Sequence, residues 1–277
     1  MHRFFDSHIQ PLLHAVGAKS VVEVGAAEGA HTRRLLDYVQ GVGGELHVVD
    51  VSPSPDLLSL RPEIDRVGSL LVGKSVPALG ALPADVYLLD GDHNWFTVRE
   101  ELRLIAGATV ETGRPWPLVL LHDVGWPYGH RDQYCNPADI PANARQPMDR
   151  RGVRPGHRTL VETGGLNHGY LNAVHEGGPD NGVHQAVSDF MAESSQTLTY
   201  EDTPAFHGLG VLYSASALGE ERTARVRAVI TLSAAARDVI ERLEAHRIQA
   251  MIADLERPRC LSWARLRLVF QRRWRPT

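Results

Sequence analysis

Over its first half the chain alternates short apolar runs, each closed by a glycine or an acid, with stretches whose apolar positions recur every three or four residues. The runs cover residues 20–25, 45–50, 69–73, 85–90 and 117–123. They are too short for helices and rich in Val and Leu, so they predict buried strands. Between them, residues 31–40 and 95–106 read as helices, the second with Phe96, Val98, Leu102 and Ile105 on one side. Residues 4–16 predict an amphipathic helix ahead of the first strand, and a short helical stretch ends near Leu60. Strands alternating with helices specify a parallel sheet covered on both faces.

Beyond Asp123 the alternation stops. Tyr128 to Asp180 spans 53 residues with eight glycines, five prolines, six arginines and four histidines, and shows no periodicity. A segment of that length without elements is expected to be functional or disordered, and its aromatic and basic content points to a lid. A helix is expected over 181–193 and an antiparallel pair of strands near 197–202 and 208–213. Residues 218–256 predict one long helix that Pro258 ends, and 260–274 a basic amphipathic segment. The expected fold class is therefore α/β: a Rossmann-like, seven-stranded, mostly parallel sheet with a long insertion after strand five and a helical C-terminal extension. The expected division is a domain over 1–216 carrying the lid 128–180, followed by the extension 217–277.

Composition narrows the setting. The 277 residues are 43% hydrophobic and carry a net charge of −4, which leaves no electrostatic footprint for nucleic acid. Cys135 and Cys260 match neither a disulfide framework nor a metal site, which favours a reducing cytoplasm. No stretch reaches the length of a transmembrane helix, and the first residues lack the apolar core of a signal peptide. Seven arginines and no acid follow from Arg257 onward. Such a tail is expected as a partly solvated helix, with weak contact to a membrane surface as the alternative. Core packing and homodimerisation both remain open for the apolar stripe of 218–256.

The chemistry begins at the first strand. Glu23-x-Gly25-x-x-x-Gly29 lies between a strand and a helix, where glycines let a cofactor approach the backbone and the helix start offers free N–H groups. The spacing is not the dinucleotide G-x-G-x-x-G. Asp50 ends the next strand, 25 residues after Gly25, where a carboxylate can accept both hydroxyls of a ribose. This set resembles the S-adenosylmethionine site of class I methyltransferases. The resemblance implies cofactor contacts from Glu23, Gly25, Ala26 and Gly29, ribose binding by Asp50, and an adenine contact near Gly73-Lys74-Ser75, with Ser75 the contacting residue and Asp90 at the edge of the same site.

Strand four ends Asp90-Gly91-Asp92-His93 and strand five ends His122-Asp123. In a parallel sheet these ends share one cleft. The pair resembles a subgroup of small O-methyltransferases carrying Asp-Gly-Asp-His and His-Asp, itself similar to macrocin-type sugar O-methyltransferases, which use magnesium. By that resemblance Asp90, His122 and Asp123 are the metal ligands. His122 departs from the pattern, where a carboxylate would stand. Magnesium prefers oxygen ligands, so manganese or another imidazole-tolerant cation, or no metal, stays open. His93 is the first candidate for general base, with Asp92 and Asp123 as alternatives.

The reading that follows is an O-methyltransferase moving methyl from S-adenosylmethionine to a sugar hydroxyl, on an oligosaccharide, polysaccharide or glycosylated metabolite. The polar and aromatic side chains of the insertion fit such an acceptor, and His175 and Glu176 are expected over it. Two other readings are a methyltransferase acting on a phenol or nitrogen of a small molecule, and a non-catalytic protein that keeps the cofactor fold.

Overall fold

The computed structural model describes residues 1–257; the expected break at Pro258 and the basic segment 260–274 lie outside the described residues. Five parallel strands build the centre: β1 (Ser20–Val24), β2 (Glu45–Asp50), β3 (Gly68–Val72), β4 (Val86–Leu89) and β5 (Leu118–His122). Their order is β3-β2-β1-β4-β5, so the direction of winding reverses between β1 and β4. That reversal opens a crevice at the carboxyl ends of the strands, where ligands bind in such sheets. All five residues of β1 are buried, as a central strand covered on both faces requires.

The helices fall on two sides. On one, α1 (Gln10–Val16) and α2 (Ala30–Val42) pack Leu12, Leu13, Leu35 and Val39 against Val21, Leu46 and Val86. On the other, α6 (Trp95–Thr112) and α7 (Val183–Glu193) pack Val98, Leu102, Val187 and Phe190 against Val22, Tyr87 and Val119. Between β2 and β4 run the short helices α3 (Pro55–Ser59), α4 (Arg61–Val67) and α5 (Ser75–Leu79). The segment expected as one helix over 4–16 is instead a 3-10 turn at His2–Phe4 and a π turn at Phe5–Ile9 leading into α1.

The insertion is folded. Three short strands, β6 (Gln133–Tyr134), β7 (Met148–Asp149) and β8 (Leu171–Ala173), form a small antiparallel sheet in the order β6-β8-β7. Buried polar side chains help to hold it together. Arg131, 1% exposed, donates to the carbonyls of Val174 and Arg158, and also to that of Ala173. Asp132 accepts from the backbone N–H groups of Trp95 and Gly182 and from the Tyr134 hydroxyl, each at 2.7 Å. Nothing in an apolar count announces such a unit, which is why the sequence reads as loop.

The sheet then finishes as expected. β9 (Thr199–Thr203) and β10 (Leu209–Tyr213) are antiparallel to each other, and β10 runs antiparallel beside β5, which puts β9 at the edge. The extension is three helices, not one: α8 (Ala215–Leu218), α9 (Glu220–Ile230) and α10 (Ala234–Glu256). Gly219, at φ +79°, turns the chain between the first two. Ser233 starts the third, its side chain accepting from the Ala236 N–H at 3.2 Å. The last turns of α10 bury Ile248 and Ile252 against Val153, Leu160 and Leu166 of the insertion. Lid and extension therefore share a core. Among the described residues no helix is long and apolar enough to cross a membrane.

Candidate functional site

Gly25 carries the chain out of β1 at φ +79°. A Cβ there would lie 2.2 Å from the Asp90 carbonyl oxygen, so only glycine lets this turn pass the end of β4. Gly29, at φ +78°, starts α2 against Leu57 and Leu60. Asp50 sits at the end of β2 beside the turn. One of its oxygens accepts from the N–H groups of Ala26 (2.9 Å) and Ala27 (3.3 Å), the other from Ser52 (2.8 Å). No cationic side chain neutralises it among these partners.

A cavity of about 360 Å³ opens next to Asp50. Val24, Val49, Val76 and Phe96 give it apolar walls, and Gly25, Asp50, Ser75 and Asp92 also face it. Its size and mixed lining suit a small molecule with a flat apolar part and a polar part. Of the residues expected to touch a cofactor, Gly25, Asp50 and Ser75 line the cavity. Glu23, Ala26, Gly29 and Asp90 do not, for identifiable reasons. The buried Glu23 carboxylate takes His31 Nδ1 at 2.7 Å and the Thr32 hydroxyl at 2.6 Å, so it anchors the start of α2. Ala26 offers its N–H to Asp50, Gly29 packs on α3, and Asp90 faces the histidines described below. Ser75 donates to Glu101, a fully buried acid of α6 that sequence reasoning missed. Burial pushes the Glu101 carboxyl up to about 8.

A second cavity of about 300 Å³ adjoins the first, and Gly91 and Cys135 line both. Its wall includes His93, Asp123, Tyr128, Gln133, Asn167, Tyr170 and His207. His93 Nε2 lies 3.2 Å from Asp123 Oδ2, and its ring stacks on Tyr128 with 6.0 Å between centroids. Asp123 holds a left-handed backbone, φ +58°, a costly conformation of the kind that collects at functional sites. Of the expected pair of alternatives to His93, Asp123 belongs to this cavity. Asp92 is on the first cavity, held by the Thr97 hydroxyl (3.2 Å) and the Cys135 N–H (3.3 Å), away from the His93 dyad.

His122 is placed differently from its expected role as a metal ligand. Its Nδ1 lies 3.1 Å from Asp90 and 3.2 Å from Asp123. Burial disfavours its charge, but the two carboxylates outweigh burial and raise its pKa to about 9. Burial likewise opposes ionisation of Asp90 and Asp123, yet His122, with His93, holds both below the usual carboxylate range. Asp90 also receives the Met1 α-amino group at 2.6 Å. His122 thus bridges the two acids through Nδ1. By distance alone the described residues offer one cation-sized group, Asp90, His93 and Asp123, whose ligand atoms lie within 4.8 Å of one another. Its two carboxylates both contact His122, and it includes an imidazole. That donor set does not fit magnesium, and no step is derived through a metal.

The insertion contributes to both cavities, through polar and aromatic side chains as expected but not through His175 and Glu176. Asn167 and Tyr170 line the second cavity; Tyr170 is 55% exposed at its rim. Glu176 instead pairs with Arg131 at 3.6 Å, and the His175 carbonyl takes Asn181. His207 was missed altogether. It stands in the turn between β9 and β10, with Nδ1 3.0 Å from the Trp126 carbonyl and Nε2 3.0 Å from Arg247 of α10. Glu244 of the same helix accepts from its backbone N–H at 2.9 Å. A histidine isolated between two strands gives no signal of this in sequence.

No protein-family model matches the chain, and neither does any curated protein. Several solved structures resemble it loosely. A methyltransferase of Podospora anserina, determined with S-adenosylhomocysteine bound, is 13% identical over 74% of this chain and 76% of its own, with a TM-score of 0.42. The 1,6-didemethyltoxoflavin-N1-methyltransferase of Burkholderia thailandensis, with its substrate and S-adenosylhomocysteine, is 13% identical over 76% and 80%, TM-score 0.42. Human N-acetylserotonin methyltransferase with S-adenosylmethionine is 13% identical over 74% of this chain and 50% of that one, TM-score 0.38. These likenesses are too distant to carry an activity over to this chain.

Proposed function

We propose that this protein is an S-adenosylmethionine-dependent O-methyltransferase whose acceptor is a sugar hydroxyl. The observation that carries the reading is the meeting of two cavities at Gly91 and Cys135, one beside Asp50 and the other holding the His93–Asp123 dyad. The first suits the cofactor. Its apolar wall fits a purine, and Asp50, paired with no cationic side chain among the described residues, offers a carboxylate to the ribose hydroxyls. When bound, S-adenosylmethionine supplies an electrophilic methyl on a sulfonium.

The chain's own residues must then hold an acceptor hydroxyl in line and remove its proton. Asp123 stays ionised beside His93 and favours the tautomer with its proton on Nε2. Nδ1 is then the nitrogen able to accept the hydroxyl proton, and Asp123 stabilises the imidazolium that forms. Tyr128, stacked on the ring, fixes its plane. The polar lining, with Gln133, Asn167 and His207, supports a hydroxyl-rich acceptor over a flat phenol, and the exposed Tyr170 ring offers an apolar face to a sugar. A screen of glycosides, oligosaccharides and phenols with radiolabelled methyl donor tests this. Label in a glycoside supports the reading; label only in phenols or amines would replace the acceptor class.

A further inference from the structure

The insertion supplies part of the wall of the first cavity. Cys135, Asn136 and Asp139 of the segment 135–139 form part of its wall, facing Lys74 at the turn after β3. Lys74 Nζ lies 2.7 Å from Asp139 Oδ1. This ion pair joins two parts of the cavity wall that lie 65 positions apart in the chain. The other end of the segment is tied down separately. The Gln133 N–H donates to the His93 carbonyl at 3.0 Å, and the Cys135 N–H to Asp92. Beyond Asp139 the chain is pinned by the buried Ile140.

We propose that residues 135–139 are a strap across the bound cofactor and that Lys74 and Asp139 are its clasp, positioning residues that set how fast the cofactor leaves. The inference rests on the cofactor reading above. A partly exposed ion pair of this kind contributes about 0.2–1 kcal/mol, so losing it speeds release by roughly one and a half to five times, and a like-charge pair by more. The short segment, fixed at both ends, transmits that change to the opening directly.

The experiment is stopped-flow displacement of S-adenosylhomocysteine from the full chain, comparing wild type with Lys74→Glu, Asp139→Lys and the double exchange. Each single variant places like charges across the gap and is expected to raise the dissociation rate at least threefold. The double exchange restores the opposite pair and is expected to return within twofold of wild type. Unchanged single-variant rates would overturn the clasp. So would a double variant as fast as the product of the singles, since Lys74 or Asp139 would then act on the ligand separately. Thermal melting of the four proteins checks that each is folded. A wild type that binds no S-adenosylhomocysteine would refute the cofactor reading itself, a different result from binding whose rate ignores the exchange.

Discussion

At the scale of single residues, the site is organised by charge. Asp90, His122 and Asp123 form a buried acid–imidazolium–acid row, and His93 sits at its open end facing the second cavity. If His93 removes the acceptor proton, His93→Ala should lower methyl transfer by about 10²–10⁴-fold, the usual size of a general-base contribution, while S-adenosylhomocysteine affinity stays within about twofold. Equal loss of both would mean that His93 supports the fold or the cofactor instead. The row also dictates a pH dependence of stability. His122 titrates near 9 when folded, against an ordinary 6.5, so its contribution is complete below about 6.5 and disappears as pH rises through about 9. Glu101, pushed up to about 8, acts in the same direction because folding favours its neutral form. Asp90 and Asp123 act oppositely, their contribution present above about pH 4 and lost below it. Melting temperature should therefore fall between pH 6.5 and 9, and Glu101→Gln should flatten part of that fall. A melting temperature constant over that range would contradict the placement of both groups.

These residues were only partly legible. Asp50 ends β2, and Asp123 and His93 follow β5 and β4 within four residues, so all three can be located from the apolar runs. The role of Glu23 could not be, because a buried acid on β1 points either to a ligand or to the next helix, and only His31 and Thr32 decide between them. His122 was misread for a similar reason: its two neighbours are known, but whether a histidine coordinates or bridges depends on where its Nδ1 points.

At the scale of elements, the β1 turn is the most constrained piece. Gly25→Ala forces a side chain into left-handed backbone and against the Asp90 carbonyl. The backbone strain alone costs roughly 1–3 kcal/mol, and relief by movement would displace both the cofactor turn and the strand bearing Asp90. Denaturant unfolding should show at least that loss, with weaker S-adenosylhomocysteine binding; unchanged values of both would show that the turn is not held as described. The central strands were readable because Val- and Leu-rich stretches of four to six residues between turn formers have few other uses. β6, β7 and β8 were not, since strands of two or three residues leave no period to detect. Their stability comes from Arg131, Asp132, Asn172 and Asn181 bonding to backbone far along the chain. The breaks between α8, α9 and α10 had signals, a glycine at 219 and a capping serine at 233, that the apolar spacing on either side masked.

At the scale of the whole molecule, the strand ends of the sheet carry the first cavity, while the insertion and the turn braced by α10 line much of the second. α10 reaches that side twice, through Ile248 and Ile252 under the insertion and through Glu244 and Arg247 on His207. Ile252→Ala should cost about 2–4 kcal/mol if the shared core is real, and should expose the insertion to proteolysis while the sheet remains protected. An insertion as resistant as in wild type would show that α10 does not support it. The parallel sheet followed from the alternation of strands and helices, whereas its strand order and the mutual support of lid and extension join segments too far apart for any local pattern to register. The proposed role of the second cavity depends on the first holding S-adenosylmethionine. The most direct test is calorimetric titration of S-adenosylhomocysteine into the wild-type chain and into Asp50→Ala. Saturable one-to-one binding by wild type, weakened about tenfold or more in the variant as expected for hydrogen bonds to a charged group, is the predicted result. No binding by wild type at high micromolar ligand, or equal affinity in the two proteins, would contradict it.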